Sequence, residues 1–173
     1  MPRQVAFLRG INLGPHRRVS MPELRELLEG HGHGDVRTHL QSGNVVLTSR
    51  KSPALLAKEL ERQIAAGLGV EAVVLVRTLV ELAAVVDRDP LGAVATDPSR
   101  YLVTFLAAKP QAAVVERLER LAAKGECVAA GGRELYTWHP DGVGRSKLAK
   151  ALSDAKLGGT ARNWRTVTAL LEL

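Results

Sequence analysis

Val36-Arg37-Thr38-His39-Leu40, then Gln41-Ser42-Gly43-Asn44, then Val45-Val46-Leu47-Thr48: two short β-prone runs are joined by four residues, three polar and one glycine. This is the composition and spacing of a β-hairpin. Reading outward, Val5-Ala6-Phe7-Leu8 upstream is an apolar run of strand length. Between it and the hairpin, Ser20-Met21-Pro22-Glu23 is a capping box with proline in the first turn, so a helix begins there. Leu24, Leu27 and Leu28 share one face of that helix, and Gly30, Gly32 and Gly34 stop it. Downstream, Ser52-Pro53 opens a second helix in which Leu56, Leu60, Ile64 and Leu68 recur every fourth residue, and residues 72–76 are a continuous apolar strand.

The order strand, helix, strand, strand, helix, strand is that of a split βαβ, or ferredoxin-like, unit. It nearly repeats. Thr78-Leu79-Val80-Glu81 is a capping box for a short bridging helix, and residues 87–100 contain Pro90, Gly92 and Pro98 and read as a connection. After it come a strand at 101–106, a helix at 110–123 and a hairpin of 126–130 with 134–138 about Gly131-Gly132. A helix at 146–157, a short piece near Thr160 and a last helix at 163–171 complete the chain. The expected fold is α+β: two tandem ferredoxin-like subdomains, each an antiparallel sheet with helices on one face. Residues 1–77 form the first, 78–100 the bridging helix and linker, and 101–173 the second with the C-terminal helix.

A chain of 173 residues with 46% apolar side chains can bury a core. One cysteine, Cys127, rules out an intramolecular disulfide, and no apolar run has the roughly 20 residues of a membrane span. The N-terminus carries no signal-like apolar region behind a basic stretch. A cytoplasmic protein with no membrane partner is expected. Formal net charge is +6. Arginine- and alanine-rich composition is also what a GC-rich genome imposes, so the total decides little and the distribution decides more. Residues 3–18 hold four arginines and no acid, and residues 144–165 hold six basic residues against Asp154.

Four polar clusters fall where elements begin or end. Arg9-Gly10-Ile11-Asn12-Leu13-Gly14 follows the first strand and offers a guanidinium, an amide and two glycines that allow close backbone approach. The hairpin loop presents Gln41, Ser42 and Asn44. Gly142-Val143-Gly144-Arg145-Ser146-Lys147 opens a helix with two cations and a hydroxyl, an anion-site composition. It is not a phosphate-binding Walker loop: His139 stands where the first glycine belongs and Arg145 where the lysine belongs. Lastly, Arg162-Asn163-Trp164-Arg165 places two cations around an indole, suited to stacking plus phosphate contact.

Other signals are weaker. His31, His33, His39 and Asp35 lack a familiar ligand spacing, so no metal is expected. Ser42, Ser146 and His139 form no recognisable nucleophile motif, and no general base with a paired partner is visible. No reaction and no cofactor is assigned.

Together the clusters resemble a bacterial family called domain of unknown function 1697 (DUF1697). The resemblance rests on Arg9-Gly10-Ile11-Asn12-Leu13-Gly14, Met21-Pro22-Glu23-Leu24-Arg25 and Arg37-Thr38-His39-Leu40-Gln41-Ser42-Gly43-Asn44-Val45. Gly144-Arg145-Ser146-Lys147-Leu148 and Thr160-Ala161-Arg162-Asn163-Trp164-Arg165-Thr166-Val167 carry the rest. Pro15-His16-Arg17-Arg18 departs from the glycine and lysine that family members tend to have there. The resemblance implies two ferredoxin-like subdomains and no established activity.

The leading functional expectation is a nucleic-acid or polyanion binder that uses basic loops near both ends, through Arg9, Asn12, Gln41, Ser42, Asn44, Arg145, Ser146, Lys147, Arg162, Asn163 and Trp164. The strand beginning at Asn44 has no aromatic residue, unlike an RNA-recognition sheet, whereas the second half has Tyr101 and Phe105 on one alternating face and Tyr136 and Trp138 on another strand, where an open sheet face would let them stack bases. The alternatives are an enzyme or sensor for a small phosphorylated or carboxylated molecule held between the halves, and a protein interaction module.

Overall fold

The structure, a computed structural model, describes residues 1–15 and 18–173. Two compact units partition the chain, Met1–Ala83 with Leu170–Leu173, and Ala84–Ala169.

In the first unit β1 (Arg3–Arg9), β2 (Gly34–His39), β3 (Asn44–Thr48) and β4 (Val73–Thr78) form a sheet of order β2-β3-β1-β4. All its pairings are antiparallel. Alternation along the strands sends Ala6 and Leu8 of β1, Val45 and Leu47 of β3, and Val74 and Val76 of β4 to one face. Leu24 and Leu28 of α1 (Met21–Gly30), with Leu56, Leu60 and Ile64 of α2 (Pro53–Leu68), pack onto it. Each such side chain removed from water contributes about 1.5–3 kcal/mol. Both helix starts are capped as the sequence requires: Ser20 Oγ accepts the Glu23 amide, Ser52 Oγ accepts that of Leu55, and Gly69 closes α2 in the left-handed region.

From β4 the chain enters α3 (Leu79–Arg88), started by the reciprocal Thr78–Glu81 box. The second unit holds β5 (Tyr101–Phe105), α4 (Ala112–Leu121), β6 (Cys127–Gly131), β7 (Glu134–Trp138), α5 (Lys147–Asp154) and β8 (Thr160–Asn163). Its sheet order, β6-β7-β5-β8, is that of the first sheet shifted by four strands. Leu118 of α4 and Leu148 and Ala151 of α5 cover Leu135 and Val128. The helix α6 (Trp164–Leu171) follows β8 directly.

Two helices are shorter than their sequence windows. Pro110 cannot donate and Gln111 stays extended, so α4 starts at Ala112. The chain leaves α5 at Asp154, with Lys156 at φ 49° and Gly158 at φ 70° turning it into β8. The piece near Thr160 is a full strand paired with β5.

The sheet faces away from α1, α2, α4 and α5 are not open platforms. Val5, Phe7, Val46 and Arg77 are buried there in the first sheet, and Tyr101, Val103, Phe105, Tyr136 and Trp138 in the second. The stacking surface expected from the second-half aromatics is therefore absent. Tyr101 stacks on Trp164 at 4.6 Å and 15° and donates to Asp89 Oδ1 at 3.0 Å, while Tyr136 donates to Val85 O at 3.0 Å. Burial, reinforced by Asp89, pushes the Tyr101 phenol well above its ordinary range.

Gly159 measures how tightly β8 enters the sheet. A Cβ there would lie 2.7 Å from Phe105 O and 2.6 Å from a Leu106 methyl. A backbone carbonyl cannot swing aside. Gly159→Ala is expected to destabilise the protein by about 1–3 kcal/mol, read as a lower midpoint in urea unfolding with an unchanged m-value.

Candidate functional site

The second sheet gathers two of the four clusters at one end. Trp138 at the end of β7 pairs with Tyr101 at the start of β5, and Leu102 pairs with Asn163 at the end of β8. The exits of β7 and β8 therefore lie two strand spacings apart, about 10 Å. The first exit runs through His139 into the 3-10 turn Val143–Arg145 and α5, and the second runs straight into α6. Arg145, Lys147 and Arg165 are exposed at these exits. Asp97, bonded to Ser99 and within 3.5 Å of the Arg100 guanidinium, feels the Arg165 charge from farther off, and these together hold its carboxylate below the usual range.

Beneath the turn lies a buried polar chain. Ser146 is the N-cap of α5, its Oγ accepting the Ala149 amide at 2.9 Å. The same Oγ is 2.7 Å from His139 Nδ1, and His139 Nε2 is 2.8 Å from Thr137 Oγ1. Glu126, just before β6, accepts the amides of Ala123 at 2.7 Å and Leu148 at 3.0 Å through one carboxylate oxygen. Burial would raise its pKa, but the Ser146 hydroxyl and the two amides outweigh burial and hold it below the ordinary carboxylate range. Burial holds the His139 imidazole below its ordinary value, partly offset by Glu126, so it is neutral.

One assignment gives every buried proton an acceptor. Thr137 donates to His139 Nε2, His139 Nδ1–H donates to Ser146 Oγ, and the Ser146 hydroxyl proton faces Glu126. Both Ser146 lone pairs are then occupied, by His139 and by the Ala149 amide. In that tautomer the imidazole is not a base toward Ser146, and the serine lies buried. The group is a clamp that fixes where Arg145 and Lys147 emerge.

Of the remaining residues of the fourth cluster, one is buried and two are half-buried. Arg162 is buried, donating from Nη1 to Thr160 Oγ1 at 2.7 Å and Ala161 O at 2.9 Å. Burial pulls its pKa down to about 10, which still leaves it charged at neutral pH. Asn163 Oδ1 accepts the Thr166 amide at 2.9 Å as the cap of α6, and Trp164 stacks on Tyr101.

In the first unit the structure brings the other two clusters together. Asn12, at φ 54°, accepts the Val19 amide at 2.8 Å and donates to Val19 O at 3.1 Å and Gln41 O at 2.6 Å. Its amide thus ties the β1–α1 loop to the hairpin. Gly43, at φ 80°, lets its carbonyl accept the Leu8 amide at 2.8 Å, where a Cβ would meet Ile11 at 2.6 Å. Asn44 is buried and donates to His39 O and Ser42 Oγ, while Gln41, Ser42 and Arg9 are exposed. Beside the tie runs a groove of about 470 Å³ lined by Asn12, Gly14, Pro15, Arg18, Val19, Ser20 and Gln41. His16 and Arg17, in the segment that departs from the family pattern, lie outside the described residues. Among the described residues no group of three or more His, Cys, Asp or Glu is placed to hold a metal, and no helix is long and apolar enough to cross a membrane.

Glu126, Thr137 and the role of His139 are not evident from the sequence. The available signal is a histidine just past a strand, seven residues before a helix-capping serine.

The family described as Protein of unknown function (DUF1697) matches residues 1–136, and the chain belongs to it. The Gly144–Leu148 and Thr160–Val167 motifs lie beyond the matched stretch. No curated protein matches. Among solved structures the chain is similar to the conserved bacterial protein SP0830 from Streptococcus pneumoniae. That match has a TM-score of 0.78 and 24% identity over 99% of this chain and 97% of that one, a likeness of fold.

Two outcomes follow from the clamp. Ser146→Ala removes an N-cap and leaves His139 Nδ1–H without its acceptor, so a loss of about 2–4 kcal/mol is expected in denaturant unfolding. Both titrating members have depressed folded pKa values, so the unfolded chain binds more protons as pH falls. Stability from His139 is full above 6.5 and declines below it as pH falls through the folded value, and that from Glu126 declines below 4.5. Melting temperature measured against pH is expected to drop on acidification, and His139→Gln to flatten the limb just below 6.5 while sparing the more acidic limb.

Proposed function

We propose that this protein binds polyanions, nucleic acid first among them, through the exposed cations at the β7 and β8 exits of the second unit. The observation that supports this is the state of Arg145 and Lys147. Both are exposed, and among the described residues no carboxylate lies within ion-pair distance of either. The turn carrying them is held from below by the Ser146 contacts, so the backbone positions from which they project are set before a ligand arrives. Arg165 adds a third cation at the same end. Arg162 is buried, Asn163 caps α6 and Trp164 stacks on Tyr101, and the three are not assigned to ligand contact. A second reading, a small phosphorylated or carboxylated ligand, is favoured by the groove beside Asn12 and Gln41, whose volume suits one and whose wall carries Arg18.

The test is fluorescence anisotropy with a labelled single-stranded oligonucleotide over a salt series. Binding at low salt is expected to weaken with a log–log slope of about −0.7 per phosphate neutralised. Arg145→Glu/Lys147→Glu is expected to reduce the steepness by about 0.7 for each phosphate that is no longer neutralised. Absence of binding at low salt, or an unchanged slope in the variant, contradicts the proposal.

A further inference from the structure

The basic surface continues away from the turn. Lys147 and Lys150, three residues apart on α5, stand on one helical face, and Arg117 of α4 stands across from them. These three line a groove of about 230 Å³ between α4 and α5, with Leu121, Ala151 and Asp154 completing its walls. Asp154 is engaged by Lys150 at 2.6 Å, while Arg117 and Lys147 make no ion pair among the described residues. With Arg145 just ahead of Lys147, the cations form a track from the turn along the groove.

What is missing beside the track matters equally. The chain has six aromatic residues other than histidine. Phe7, Tyr101, Phe105, Tyr136 and Trp138 are buried, and Trp164, half-buried, has one ring face covered by Tyr101. No aromatic ring lines the groove itself, so the ring stacking by which proteins ordinarily hold unpaired bases is not offered there.

We infer that the Arg145–Lys147–Arg117–Lys150 track grips a linear chain of phosphates and does not read bases. The inference rests on the polyanion reading above and narrows it. The backbone of a nucleic acid and inorganic polyphosphate present the same repeating charge, and the two are separated by testing both.

Labelled homopolymers of each of the four DNA bases, matched in length, are titrated into the full chain at low salt. Unlabelled polyphosphate of equal charge is then added as competitor. Affinities for the four homopolymers are expected to agree within about threefold, since no aromatic ring lines the groove to favour one base over another. Polyphosphate is expected to displace them, and Trp fluorescence to stay unchanged on binding. Arg117→Glu/Lys150→Glu is expected to weaken binding at least about tenfold, with circular dichroism confirming the fold. Lys58→Glu/Arg62→Glu on α2, an equal charge change at sites elsewhere on the surface, is expected to leave it within about twofold.

A base preference above tenfold, failure of polyphosphate to compete, or equal loss in the two charge-reversed variants overturns the inference while leaving polyanion binding in place. If no homopolymer binds at low salt, the polyanion reading falls and takes this inference with it.

Discussion

Ser146 stands where three demands meet. As the first cap of α5 its hydroxyl oxygen accepts a backbone amide, in the Nδ1–H tautomer of His139 it also accepts an imidazole N–H, and its own proton is then left to turn toward the Glu126 carboxylate. A hydroxyl has two acceptor sites and one proton, so the three demands saturate it. Glu126 in turn collects two backbone amides from the segments that bracket α4 and α5. The start of α5, the end of α4 and the exit of β7 are thereby joined through one buried chain. The basic surface is only as well defined as that junction.

A serine, a histidine and a glutamate in one buried chain resemble the parts of a catalytic triad, and their arrangement separates them from one. A nucleophilic serine donates to a histidine that a carboxylate orients from behind. Here the histidine lies at the far end of the chain from the carboxylate, capped by Thr137, and the serine is between them. Charge stays at Glu126, where two amides solvate it. The arrangement holds the turn in place beneath the exposed Arg145 and Lys147.

Much of the fold was legible because local signals agreed with one another. Capping boxes at Ser20 and Thr78 and the four-residue period of Leu56, Leu60 and Ile64 all became the elements they indicated. The hairpin glycine and the strand order followed the same agreement. Less was legible at the candidate site. Arg145 and Lys147 are exposed cations, whereas Arg162, alike in type, is buried, and Trp164 is half-buried against Tyr101. For Arg162, strand alternation in the four residues of β8 does not tell which face is covered, and only tertiary packing decides it. The aromatic residues show the same limit. The sequence puts Tyr101 and Phe105 on one alternating face of their strand and Tyr136 and Trp138 on another strand; pairing brings all four to one sheet face, and that face is core. The Glu126–Ser146–His139 chain was invisible because its members sit on three separate elements, with nothing in their spacing to join them.

The direction of the hydrogen bonds about Ser146 decides whether it is a clamp or a nucleophile, and nitrogen chemical shifts of the His139 imidazole report it directly. A neutral ring at neutral pH, protonated on Nδ1 with Nε2 as acceptor and titrating below 6.5, is the predicted result. A ring protonated on Nε2, with Ser146 donating to a bare Nδ1, or a titration midpoint above 6.5, would contradict it and make Ser146 a serine with a base.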